Sequence, residues 1–375
     1  MSRLIIHVGT HKTGTTSIQA YLAANRDALA ASGVLYPDAT RFIGRHPEVH
    51  HNIATALARS EGAFPEPLLR FREHLRARLA DHDAIILSSE QFYRHLIPGE
   101  RPDDEAELWA RRDAYVARMA AYFEPLSPTI SVYLRNPVTL AESKFANSMM
   151  ATVVKADFAA YVGRSGWSYE YGRHVATFRR HFASVEAHSF ERAARPNLVA
   201  GFFADHGLTP PAIPEDRRMR VSPPNQALLW IQRLKAEGAL PDRDRERRWG
   251  FALQDAARPL FGGDAPSTLW DSAAARSAFF ERYGAPVDTV AFDPPAPELA
   301  APRATWDDAR HAAANAAFAA WLPANEARLR RREAAGVLPF EPDDAVGAAP
   351  TAAGRPALQT AVARLRKLGR RLAGR

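Results

Sequence analysis

The stretch His7-Val8-Gly9-Thr10-His11-Lys12-Thr13-Gly14-Thr15-Thr16-Ser17 joins a short apolar run, Leu4 to Val8, to a segment with helical spacing. Gly9 and Gly14 are as far apart as the glycines of the nucleotide-loop pattern G-x-x-x-x-G-K-[ST]. Thr15 stands where that pattern has its lysine, and Lys12 lies two residues before Gly14 instead. A turn between a buried strand and a helix offers backbone N–H groups and the positive end of the helix dipole, which suits an anion. Thr13, Thr15, Thr16 and Ser17 add hydroxyls, and Gly14 lets the backbone approach closely. With Lys12 ahead of the turn, its ammonium can reach the side of a bound group from which something leaves.

Outward from this loop the chain alternates. Gly14 to Ser32 places Ile18, Leu22 and Leu29 on roughly one helical face. Further strand candidates are Asp83 to Ser89, Thr129 to Arg135 and Ser184 to Phe190, with helical stretches such as EAELWARRDAYVARMAAYF and YEYGRHVATFRRHF between them. Strands alternating with helices predict an α/β fold, a parallel sheet of P-loop NTPase-like type flanked by helices. Ligands of such sheets bind beyond the carboxyl ends of the strands, so the residues just after each strand become the candidates. From about Pro210 the texture changes to a proline-rich break and then helices without convincing strands. The expected organisation is a core over 1–210, a helical extension packed on it over 211–342, and a flexible linker with a basic amphipathic tail over 343–375.

Composition narrows the chemistry. The absence of cysteine excludes disulfides and thiolate catalysis and suits a reducing cytoplasm. No run approaches the roughly 18 apolar residues of a membrane span, and the apolar run after Arg3 is too short for a secretory leader. The formal charge of +7 resides in Arg355, Arg364, Arg366, Lys367, Arg370, Arg371 and Arg375 of the tail, so the body is balanced. Nothing outside the tail points to a nucleic-acid partner. The tail's Leu358, Val362, Leu365, Leu368 and Leu372 fall at helical spacing, the pattern of a helix that lies on an anionic membrane surface, docks on a partner or stays disordered. The expected location is cytoplasmic, with peripheral contact at the inner face of the membrane as one option.

A second motif follows the strand that ends at Arg135. In RNPVTLAES, Arg135 and Ser143 are eight residues apart, and Pro137 suits the first turn of a helix. Arginine offers a fork of donors to a phosphate, and serine adds a hydroxyl. The K-T-G-T-T of Lys12 to Thr16 resembles the 5′-phosphosulfate loop of the PAPS-dependent sulfotransferases, written P-K-[ST]-G-T-[ST], with His11 in place of the proline, a variation compatible with their bacterial and Golgi-type branches. Their 3′-phosphate motif is likewise an arginine ending a strand and a serine eight residues on. The resemblance covers roughly residues 4 to 205. It implies that His11, Lys12, Thr13, Gly14, Thr15 and Thr16 cradle the 5′-phosphosulfate of 3′-phosphoadenosine 5′-phosphosulfate (PAPS), released as PAP. It further implies that Arg135 and Ser143 hold the 3′-phosphate, that Lys12 stabilises the leaving phosphate, and that no metal is obligatory. By analogy with bacterial members, the acceptor is a hydroxyl of a carbohydrate or glycolipid.

Sulfuryl transfer to a hydroxyl needs a general base beside the attacking oxygen. Glu90, directly after the strand AIILSS, is the first candidate; as alternatives it caps a helix or forms an ion pair with Lys12 or Arg135. The cytosolic branch has a histidine after the corresponding strand, and several Golgi-type branches use a glutamate. His51, of the pair His50-His51, is the second candidate; its alternative is a surface or packing histidine. Ser88 or Ser89 could line the sulfuryl pocket, since in a strand only one of the two can point there. Arg220 in RRMRVSPP is a candidate lid arginine or a solvated basic loop residue. Two rival functions remain: a small-molecule kinase using ATP and Mg²⁺, and a non-catalytic nucleotide-binding protein.

Overall fold

The structure of the protein is a computed structural model that describes residues 2–44, 47–60, 62–96, 104–151, 154–212, 223–237, 261, 267–298, 302–304 and 308–334. The tail over 343–375 lies outside the described residues. Five strands are formed: β1 (Arg3–Gly9), β2 (Val34–Leu35), β3 (Ala84–Ser88), β4 (Thr129–Leu134) and β5 (Ser184–Ser189). They make one all-parallel sheet in the order β2-β3-β1-β4-β5, flanked by helices.

The sequence explains why β1 sits in the middle. Every residue from Leu4 to Gly9 is buried, as expected of a parallel strand covered on both faces. β3 is buried along its whole length, whereas the edge strand β5 alternates polar and small residues and stays half-covered. On one face Ile5, Ile86 and Tyr133 pack with Ile18, Tyr21 and Leu22 of the Thr15–Ala24 helix and with Phe202 and Phe203 of the Leu198–Asp205 helix. Burial of an aliphatic or aromatic side chain of this kind contributes about 1.5–3 kcal/mol. That face is what ties the first helix after the loop to the sheet.

The connectivity positions the site. From β1 the chain runs to β2 on one side, and from β4 it runs to β5 on the other, while β1 and β4 are neighbours. Their carboxyl ends therefore flank the switch point where open parallel sheets bind ligands.

The chain divides into two compact units. The first comprises Met1–Asn147, Ala156–Ser222 and Ser267–Arg303 and holds the sheet; its later part includes the Ala273–Tyr283 helix, whose Phe279 and Tyr283 pack on Tyr169. The second comprises Ser148–Lys155, Pro223–Pro266 and Ala304–Arg375. There Trp230, on the Asn225–Ala236 helix, is fully buried against Phe261 and Phe318, and its indole N–H donates to Asn315 Oδ1 of the Asp308–Ala334 helix over 2.9 Å. No described helix is long and apolar enough to cross a membrane.

Candidate active site

β1 ends at Gly9, and the next residue continues the ladder: Thr10 N–H donates to the Tyr133 carbonyl of β4 over 3.0 Å. The chain then turns sharply, with Lys12 at φ +70° and Gly14 at φ +68°. A left-handed conformation costs a non-glycine residue about 1–2 kcal/mol, so Lys12 keeps it only because its surroundings hold it there. Thr13 Oγ1 donates to the Thr10 carbonyl over 2.6 Å and closes the turn from inside. A Cβ on Gly14 would displace Leu198 Cδ2 and one on Gly9 would stand 2.6 Å from Thr15 Cγ2, and at Gly14 the left-handed backbone favours glycine in addition.

Gly14 is also the N-cap of the Thr15–Ala24 helix, and no side chain caps that end. Ser17 and Ile18 donate back to the Gly14 carbonyl, while the amides before them face outward from the helix end. Beside this end two buried polar atoms, Thr10 Oγ1 and His11 Nε2, have no hydrogen-bond partner among the described residues. Burial lowers the His11 imidazole to about 3, with the neighbouring Glu90 carboxylate pulling the other way, so its ring is neutral at pH 7. The loop thus carries backbone amides and side-chain polar groups in one short turn at a helix N-terminus, the kind of element that can receive an anion.

Arg135 follows β4 directly. Its Nη1 donates to the Lys12 carbonyl over 2.7 Å, its Nε to Thr139 Oγ1 over 3.1 Å, and its guanidinium lies 5.3 Å from the Phe190 ring centre. Tyr171 OH donates to the Arg135 carbonyl over 2.7 Å, and Glu191 accepts from Asn136 N–H over 2.8 Å. Pro137 opens the Pro137–Ala151 helix, in which Thr139 and half-buried Ser143 are four residues apart and so share a face.

On the other side of β1, Ser88 of β3 pairs with His7 in register, and their side chains meet at 2.9 Å. Gln19, buried on the inner face of the first helix, donates to Ser88 Oγ over 3.1 Å and reaches Glu90 Oε2 at 3.4 Å. His51 Nε2 stands 3.4 Å from Glu90 Oε1, and His51 Nδ1 lies 2.7 Å from Ser89 Oγ. Burial alone would raise the Glu90 carboxyl; the hydrogen bond and charge of His51, with His11 beyond, outweigh it and hold the group at about 2. Glu90 is therefore ionised at neutral pH. His50 faces elsewhere: it accepts from Ser88 N–H at Nδ1 over 3.1 Å and lies 3.0 Å from the Pro37 carbonyl through Nε2, fully enclosed.

The candidates therefore gather into two groups flanking β1. His11, Lys12, Thr13, Gly14, Thr15 and Thr16 form the loop, with Arg135 bonded to it and Ser143 on the helix that follows. Glu90 and His51 contact each other, and both interact electrostatically with His11. Arg220 lies outside the described residues. Sequence reasoning missed Gln19, Thr10 and Tyr171. A glutamine on the apolar face of the first helix was the signal available for Gln19; Thr10 and Tyr171 carry none.

Fold and site together define an α/β chain with a glycine-containing loop after β1 and a partly buried carboxylate–imidazole pair beside it. No protein-family model and no curated protein matches the chain. Among solved structures it is similar to a sulfotransferase from Alicyclobacillus acidocaldarius, with 17% identity and a TM-score of 0.36 over 66% of this chain and 100% of that one. A likeness of that degree says nothing of the chemistry.

Proposed function

We propose that the chain is a sulfotransferase that moves a sulfuryl group from PAPS to a hydroxyl of a carbohydrate or lipid-linked glycan. The observation that supports this reading is the hydrogen bond from Arg135 to the Lys12 carbonyl, which brings the two motifs into contact. PAPS supplies the sulfuryl group, and its 5′-phosphate departs as part of PAP. The amides of the uncapped helix end and the hydroxyls of Thr15 and Thr16 hold the phosphosulfate oxygens. Lys12 neutralises the charge that grows on the bridging oxygen, as fixed donors do at other anionic transition states. Arg135 has donors beyond the two bonds it makes within the protein, and these with Ser143 receive the 3′-phosphate.

Glu90 takes the acceptor's proton. Both ring nitrogens of His51 are engaged, one with Ser89 and one with Glu90, whereas the carboxylate has lone pairs beyond its contacts with His51 and Gln19. A carboxyl at about 2 is a weak base, but a polyanionic donor alongside raises it, because like charges disfavour ionisation. His51 and Gln19 position the carboxylate. The test is transfer of label from sulfur-labelled PAPS to a panel of glycans without added Mg²⁺, beside label transfer from ATP with Mg²⁺. Sulfated product in the first arm supports the proposal. Phosphorylated product in the second, with none in the first, replaces it with a kinase.

A further inference from the structure

At the edge of the sheet, β5 and the end of the Leu198–Asp205 helix bring together side chains that the loop does not use. Glu186 and His188 are two residues apart on β5 and so project to the same side of the strand. His206 immediately follows the helix. One ligand-type atom from each of Glu186, His188 and His206 lies within 4.8 Å of the other two. His188 is 7% exposed, and its Nε2 has no hydrogen-bond partner among the described residues, although Glu186 Oε2 is 3.5 Å away.

The surroundings of the imidazoles are equally specific. His188 Nδ1 stands 3.7 Å from Asp205 Oδ2, and that carboxylate is itself fixed by Tyr133 OH at 2.9 Å and Arg192 Nη2 at 2.7 Å. Ser131 Oγ, at 3.2 Å from His206 Nε2, engages one ring nitrogen of His206 and orients the ring. Glu186 and His188 open onto a cleft of about 460 Å³ whose wall also includes Arg192, Asp205 and Asp288.

We infer that Glu186, His188 and His206 form a binding site for one divalent cation of the zinc class. Two imidazole nitrogens and one carboxylate are a borderline donor set that suits zinc; magnesium and calcium take six or more oxygens. Metal-bound histidines use their second nitrogen to bond a carboxylate or another polar group; Ser131 holds that place for His206, and Asp205 lies near it for His188, 3.7 Å away and short of a hydrogen bond. Donors around a zinc ion lie about 2.0–2.2 Å from it and so about 3.3–3.6 Å from one another, and binding must draw the present spacing of up to 4.8 Å inward. Three protein donors leave a fourth position for water or an anionic group. The site is separate from the loop, and the inference does not rest on the sulfotransferase reading.

The experiment uses the full chain, stripped with a chelator, dialysed, and titrated calorimetrically with Zn²⁺ alone and with Mg²⁺ alone. One Zn²⁺ per chain and no Mg²⁺ response is the expected result. Glu186 is half-exposed, so Glu186→Ala leaves the fold intact and must weaken Zn²⁺ binding by at least about tenfold, with His188→Ala acting likewise. Co²⁺ in place of Zn²⁺ gives visible ligand-field bands that Glu186→Ala alters. Zn²⁺ affinity and Co²⁺ spectrum unchanged in Glu186→Ala, or no Zn²⁺ binding to the parent chain, overturns the inference.

Discussion

Arg135 Nη1 donates to the Lys12 carbonyl over 2.7 Å, joining the loop after β1 to the loop after β4 across 123 residues of sequence. The bond fixes the peptide at the residue whose backbone is in the left-handed region, and so helps set the direction of the Lys12 side chain. The same guanidinium is the candidate phosphate fork. Arg135→Lys keeps a charge but loses the planar fork, so it weakens the loop and the ligand contact together.

Gly14→Ala places a methyl against Leu198 and demands a left-handed alanine. Strain of about 1–2 kcal/mol from the backbone and about 1–3 kcal/mol from overpacking should add. Urea unfolding is expected to show a loss of about 2–5 kcal/mol. A loss below about 0.5 kcal/mol would mean the loop does not take this shape.

The histidine pair separates by role. His50→Ala strands the buried Ser88 N–H and the Pro37 carbonyl, each at about 1–3 kcal/mol, and should destabilise the chain without a specific effect on turnover. His51→Ala touches a partly exposed ring and should change stability by less than about 1 kcal/mol while lowering kcat. Denaturation and kinetics on both variants check this; reversed roles would refute the assignment.

Acid should destabilise the protein well before its carboxylates titrate. Burial lowers His7 to about 3 and His50 to about 4 from an ordinary 6.5, so the unfolded chain binds more protons below pH 6.5. Their stabilising contribution is complete above pH 6.5 and is lost as pH falls toward 4 and then 3. Glu90, held at about 2 against an ordinary 4.5, adds a contribution that is present above pH 4.5 and lost toward 2. At pH 5 each buried histidine should cost on the order of 2 kcal/mol. A urea midpoint that stays level between pH 7.5 and 5 would contradict these environments.

Glu90→Gln retains the shape of the side chain and removes its capacity to accept a proton. Turnover should fall by about 10²–10⁴-fold, while affinity for the nucleotide stays within about threefold. Equal losses in kcat and in nucleotide affinity would make Glu90 a binding residue.

Much of this was legible in the residues. The runs beginning at Leu4, Asp83, Thr129 and Ser184 read as strands, and each proves to be one, with ends within a residue or two. β2 was not legible, because Val34-Leu35 is too short to show any period and exists by pairing with β3. The spacing of Gly9, Lys12 and Gly14 reveals a loop, yet nothing in it shows that Arg135 bonds the Lys12 carbonyl, since that depends on β1 and β4 being neighbours. His50 and His51 are identical in type and adjacent; only the start of the His51–Arg59 helix sends one ring against the Ser88 backbone at the end of β3 and the other toward Glu90. Ser267–Arg303 joins the sheet unit through contacts far apart in sequence, which local composition does not report.

The most direct test of the central claim is calorimetric titration of adenosine 3′,5′-bisphosphate into the parent chain, Lys12→Ala and Arg135→Ala, with ATP and Mg²⁺ run in parallel. The expected result is tight bisphosphate binding, a loss of at least about 100-fold in Arg135→Ala, and little response to ATP. Binding of ATP as tight as that of the bisphosphate, undiminished in Arg135→Ala, would contradict it.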